Sequence, residues 1–123
     1  GVQATPVLGK HEIEDLVIFP VARTPSVRNG IVVALDKKTG KEVWRYKMKA
    51  YAWSSPVAVY DEEGKAYLLQ GDSAGTLHLL DARTGKLLDQ LPLGANIEAS
   101  PAVVGNTLVV GTRGMKIFGI ELL

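Results

Sequence analysis

The side chains that could do chemistry are few and widely spaced. Cysteine is absent, which removes a thiolate nucleophile, a thiolate metal site and a disulfide frame. The two histidines, His11 and His78, share no motif and do not by themselves make a zinc site. Asp36 and Asp81 lack the multi-carboxylate spacing of a calcium loop. The chain contains no Ser/His/Asp constellation, no phosphate-cradling glycine loop and no paired-carboxylate motif. What remains is recognition chemistry. Tyr51 and Trp53 stand two residues apart, as do Asn96 and Glu98; Arg23 and Arg28 flank a proline in the segment 22–29, and Arg113 follows later. Aromatic rings beside amide, carboxylate and guanidinium groups suit contact with a protein or peptide.

The elements that must carry these residues repeat. Ala34-Leu35-Asp36-Lys37-Lys38-Thr39-Gly40-Lys41 matches Leu79-Leu80-Asp81-Ala82-Arg83-Thr84-Gly85-Lys86. Ser55-Pro56-Val57 matches both Thr5-Pro6-Val7 and Ser100-Pro101-Ala102. Leu68-Leu69-Gln70-Gly71 returns as Leu108-Val109-Val110-Gly111. Each copy of about 40–50 residues holds short β-prone runs. In the middle copy these runs fall near 55–59, 66–70, 75–80 and 86–91. Polar turns separate them, and no helical period of useful length appears. Four antiparallel strands repeated at this period predict β-propeller blades: 4–46, 54–91 and an incomplete 99–123. Eleven strands are placed in total, the third blade lacking its outermost one.

The run Ala34-Leu35-Asp36-Lys37-Lys38-Thr39-Gly40-Lys41-Glu42-Val43-Trp44 resembles the repeat signature of the pyrroloquinoline-quinone (PQQ)-like propellers, and the resemblance extends over essentially the whole chain. It implies that Asp36, Thr39, Gly40 and their counterparts Asp81, Thr84, Gly85 form structural turns between third and fourth strands. It also implies that Trp44 docks between neighbouring blades. The counterpart of Trp44 is Asp89, a departure from the pattern that predicts a looser seam after the second blade. The family further implies an extracytoplasmic, periplasmic setting. It suggests a non-catalytic scaffold akin to those of outer-membrane protein assembly, with no cofactor. The alternative it raises is part of a PQQ-dependent quinoprotein dehydrogenase, which would hold PQQ and calcium.

Strand alternation places the fourth-to-first and second-to-third connections on one common face. That face gathers Tyr51, Trp53, Arg23, Arg28, Asn96, Glu98 and Arg113. By the family resemblance, the loop before each first strand lies nearest the central channel. Variable loops on a rigid scaffold are where binding concentrates. Each of these residues also has a bland role in packing, turn formation or solvation.

The composition fits a globular β-rich chain: 46% hydrophobic, 22% charged, 13 glycines and 6 prolines in 123 residues. A net charge of +1 offers no electrostatic case for nucleic acid. No apolar run approaches the roughly 20 residues a spanning helix requires. Propellers need at least about four blades to close. Three blades therefore predict either a piece of a longer protein, the favoured expectation, or closure by other copies of this chain. In the first case residues 115–123 would form a C-terminus, and a distant N-terminal strand would complete the last blade.

Overall fold

The computed structural model describes residues 4–21, 29–97 and 100–122. Three antiparallel sheets follow one another along the chain. The first contains β1 (Val7–Leu8), β2 (Leu16–Val21), β3 (Ile31–Asp36) and β4 (Glu42–Lys47), hydrogen-bonded in that order. The second contains β5 (Val57–Tyr60), β6 (Ala66–Gly71), β7 (Thr76–Asp81) and β8 (Leu87–Pro92). The third contains β9 (Ala102–Val104), β10 (Thr107–Gly111) and β11 (Ile117–Glu121), with β10 in the centre. Among the described residues the one helical segment is a single 3-10 turn, His11–Ile13.

The turns from third to fourth strand are built locally, and built twice. Asp36 Oδ1 accepts the backbone N–H groups of Lys38 (2.8 Å) and Thr39 (3.0 Å), while Gly40 N–H bonds Asp36 O and takes φ 72°. Asp81 Oδ1 accepts those of Arg83 (2.9 Å) and Thr84 (3.3 Å), and Gly85 bonds Asp81 O at φ 76°. The short acceptor side chain satisfies backbone donors that the turn would otherwise expose, and glycine takes the left-handed position at little steric cost. A register irregularity precedes each turn at matching positions, Ala34/Leu35 and Leu79/Leu80. Pro20 sits past the end of the two-residue β1–β2 ladder, where a strand tolerates a missing donor.

Alternating side chains let the middle sheet bury both faces. Leu68 and Leu80 join Ile18, Val32, Ala34 and Trp44 in the core shared with the first sheet. Leu69 and Leu77 join Leu108 and Val110 in the core shared with the third. Ile13, fully buried, enters the first core from the 3-10 turn. The polar segment Gly9–Glu12 thus leads into a side chain that plugs the end of the seam. Serine hydroxyls stitch the inner strands: Thr5 N–H donates to Ser55 Oγ (2.9 Å), and Ser55 N–H to Ser100 Oγ (3.0 Å).

The two turn glycines have the same conformation and different surroundings. A Cβ at Gly40 would meet nothing within 4 Å, whereas one at Gly85 would lie 2.5 Å from Trp44 Cε3. Gly40→Ala should cost about 1–2 kcal/mol, the left-handed strain alone. Gly85→Ala should cost about 1–3 kcal/mol more, because the Trp44 ring must move. Urea midpoints of the two variants check this difference.

Candidate functional site

The loop face is assembled by straps across the seams. The loop after β4 crosses to the loop between β6 and β7: Tyr51 N–H donates to Ser73 Oγ (3.0 Å), and Ser73 N–H returns to Tyr51 O (2.8 Å). The loop after β8 repeats this arrangement one seam later. That loop is first tied back to its own sheet, Leu93 N–H to Gly75 O and Ile97 N–H to Asp72 O, and then crosses the second seam, where Arg113 N–H bonds Asn96 O at 2.9 Å. Glycines permit the close approach. A Cβ on Gly71 would lie 2.4 Å from Ile97 Cγ2, and one on Gly75 would lie 2.6 Å from Ala95 O.

On this frame the Tyr51 and Trp53 rings stack, 6.0 Å between centroids and 8° from parallel. Trp53 is 40% exposed beside the buried Ala52 and Ser54. The structure thus brings Tyr51 to Trp53 at the first seam and Asn96 to Arg113 at the second. Arg23, Arg28 and Glu98 lie outside the described residues. The opposite face is tied by charge: Arg83 grips Asp15 at 2.6 and 3.1 Å and Glu12 O at 3.1 Å, joining the first two sheets. The hydrogen bond from Arg83 holds the Asp15 carboxyl below its ordinary range.

One buried polar assembly was not anticipated as a unit. His78, 4% exposed on β7, meets Asp72 Oδ2 through Nε2 at 2.7 Å and the Tyr46 hydroxyl through Nδ1 at 2.8 Å. Asp72 Oδ1 accepts the N–H groups of Ala74 and Thr76. With Nε2 donating to Asp72, Nδ1 can accept the Tyr46 proton, which links β4 to β7 and to the loop that precedes β7. Burial pushes the Asp72 carboxyl up, but the bonds from His78 and the two N–H groups outweigh it, and its pKa lies below the ordinary value. Burial raises the Tyr46 phenol. These groups lock the seam, and among the described residues no three His, Asp or Glu side chains converge as metal ligands. Among the described residues, too, no helix is long and apolar enough to cross a membrane.

Successive antiparallel sheets stacked face to face, the first two four-stranded and each joining its third and fourth strands through an Asp-x-x-Thr-Gly turn, define the blades of a β-propeller of the PQQ-like repeat class. Residues 28–122 match the family described as outer membrane protein assembly factor BamB, and the chain belongs to that family. It is 32% identical to the outer membrane protein assembly factor BamB of Marinobacter adhaerens over 76% of its length, covering 24% of that protein. It is 30% identical to the quinohemoprotein alcohol dehydrogenase ADH IIB of Pseudomonas putida over 98% of its length, covering 18% of that protein. The crystal structure of BamB from Moraxella catarrhalis superimposes with a TM-score of 0.71 at 22% identity, over 98% of this chain and 32% of that one, which shows the shared fold. The chain thus spans about a quarter of the length of the BamB relatives it matches.

Proposed function

We propose that this chain is an arc of a non-catalytic, extracytoplasmic β-propeller scaffold that recognises a protein or peptide partner during outer-membrane protein assembly. Further blades, or further copies, would complete the ring. The observation that carries the reading is the Tyr51–Trp53 stack: exposed aromatic surface on a loop whose backbone is pinned to Ser73. Pinned aromatics make contact at little entropic cost, and tryptophan and tyrosine dominate interface energetics. The names of the BamB relatives support the setting.

A photo-crosslinker at position 53 in cells should capture a component of the outer-membrane assembly machinery. Trp53→Ala should weaken binding to that component by about tenfold or more, as for an aromatic hot spot. Capture of nothing, or unchanged affinity in the variant, would count against the reading.

The likeness to a quinohemoprotein dehydrogenase favours a second reading, in which the chain is part of a PQQ enzyme. Titration with PQQ and calcium separates the two. The scaffold predicts no saturable absorbance change, and the enzyme predicts one.

A further inference from the structure

We propose that the loop face at the first seam takes a peptide segment in which an apolar side chain stands beside two carboxylates. The inference rests on the loop-face reading of the function and names the chemistry of the partner. The chain from the end of β4 to β5 crosses the top of the seam, from the outer strand of one sheet to the inner strand of the next. Exposure alternates along it. Met48, Ala52 and Ser54 are buried, Lys47, Lys49 and Trp53 are exposed, and Tyr51 is half-buried. The outward side chains are thus two cations followed by two stacked rings. The repeat separates the frame from what it displays. After β8 the buried positions are apolar again, Leu93 for Met48 and Ile97 for Ala52. The outward ones change: Pro92 and Gly94 stand for the two lysines, and Asn96 for Tyr51. The backbone bond across the seam is nevertheless made in both places, Ser73 N–H to Tyr51 O and Arg113 N–H to Asn96 O. Holding a seam therefore requires the buried set and leaves the cations and rings of the first seam for another task.

The charges of this face are uncompensated. Among the described residues the ion pairs are Arg45–Glu42 on β4, Lys65–Asp81 and Arg83–Asp15 on the opposite face, and His78–Asp72 inside the seam. Neither Lys47 nor Lys49 enters one. Asp72 is the one carboxylate on the described parts of the loop-face connections, and it is buried against His78. Arg113 and Lys116, exposed between β10 and β11, add positive charge at the next seam. Arg23, Arg28 and Glu98 lie outside the described residues and are no part of the site. A cationic strip that ends in an indole attracts a segment carrying negative charge and repels one carrying positive charge, while the ring supplies apolar contact. A membrane surface draws on clusters of about four to eight cations. This strip offers two, beside a pair of rings on a pinned backbone, which favours a single peptide segment.

The test titrates the complete natural polypeptide with acetyl-Phe-Gly-Glu-Gly-Glu-amide and acetyl-Phe-Gly-Lys-Gly-Lys-amide. Tryptophan indole N–H resonances report binding, that of Trp53 being assigned by its loss in Trp53→Ala. The acidic peptide should bind saturably, shift the Trp53 resonance and weaken as salt rises. The lysine peptide should bind at least about tenfold more weakly. Lys47→Glu combined with Lys49→Glu changes two exposed side chains and should lower affinity for the acidic peptide by about tenfold or more. Lys47→Gln combined with Lys49→Gln should narrow the difference between the two peptides. Absence of saturable binding, equal affinity for both peptides, or unaltered binding in the folded charge-reversed variant would overturn the proposal. Binding to phosphatidylglycerol vesicles without binding to the acidic peptide would also overturn it and assign the face to a lipid surface. The two readings fail separately. A crosslink from position 53 that persists in the charge-reversed variant would keep the loop-face reading and remove the acidic partner. Preferential binding of the acidic peptide with no crosslink in cells would remove the assembly partner and keep the peptide chemistry.

Discussion

Trp44→Ala is expected to lower the unfolding free energy by about 3–5 kcal/mol, the range for deleting a large buried aromatic side chain. Three losses combine. The apolar area of the indole leaves the first core, where it packs with Leu80 and Ala82. A gap opens between two sheets whose approach is fixed elsewhere by the Arg83–Asp15 pair and the Tyr46–His78 bond, so the walls cannot close over it. The buried bond to Ala82 O disappears. Trp44→Phe retains much of the area and loses the bond, and should cost about 1–2 kcal/mol. Denaturant midpoints at unchanged slope measure both. A loss below about 1 kcal/mol for the alanine variant would show that the ring does not hold the seam.

Asp72→Ala should cost about 3 kcal/mol, since it leaves a buried imidazole and two backbone donors without their acceptor. The same carboxylate makes stability depend on pH. Its pKa is depressed in the folded chain, so the unfolded state binds its proton first as pH falls. The stabilisation is complete above the unfolded value of about 3.9 and is lost as pH falls through the lower folded value. Wild-type stability should therefore decline below about pH 4, while the Asp72→Ala variant declines less steeply over that interval. Paired denaturation curves from pH 6 down to about pH 3 give the two slopes. Identical slopes would mean that Asp72 carries no share of the acid sensitivity.

The parts of this fold legible in the sequence are those whose forces act between near neighbours. Asp36 and Asp81 bond backbone groups two and three residues ahead, so their turns are written in a few consecutive letters. The strands of the middle sheet fall within a residue or two of their expected places. The serine before each proline delays the first strand to Val57, and the turn glycine Gly85 delays the last to Leu87. The Tyr46–His78–Asp72 chain is another matter. It joins two sheets through residues 32 and 6 positions apart, and no local pattern announces it. A trace was present. His78 aligns with Val33 of the preceding repeat, a buried apolar position, and a polar group in such a place needs a partner. Ile13 left a similar trace as an apolar residue in a polar stretch. The stacking of Tyr51 on Trp53 is compatible with their spacing of two, which puts side chains on one face of extended backbone, but the spacing alone does not set the ring orientation.

The hydroxyl contacts along the inner strands have a sense. The middle repeat presents a serine, Ser55, that accepts from the Thr5 amide of the copy before it and an amide that donates to Ser100 of the copy after it. Such a contact joins two different halves, like links in a head-to-tail polymer, and carries no terminator of its own. A duplicated repeat would make the same bond as its parent, and a deleted one would leave its neighbours to bond each other. The number of units is then selected by symmetry, through the rotation per unit that brings the last back to the first. Arrays of this kind lengthen or shorten in evolution by whole units, with the local chemistry indifferent to the count.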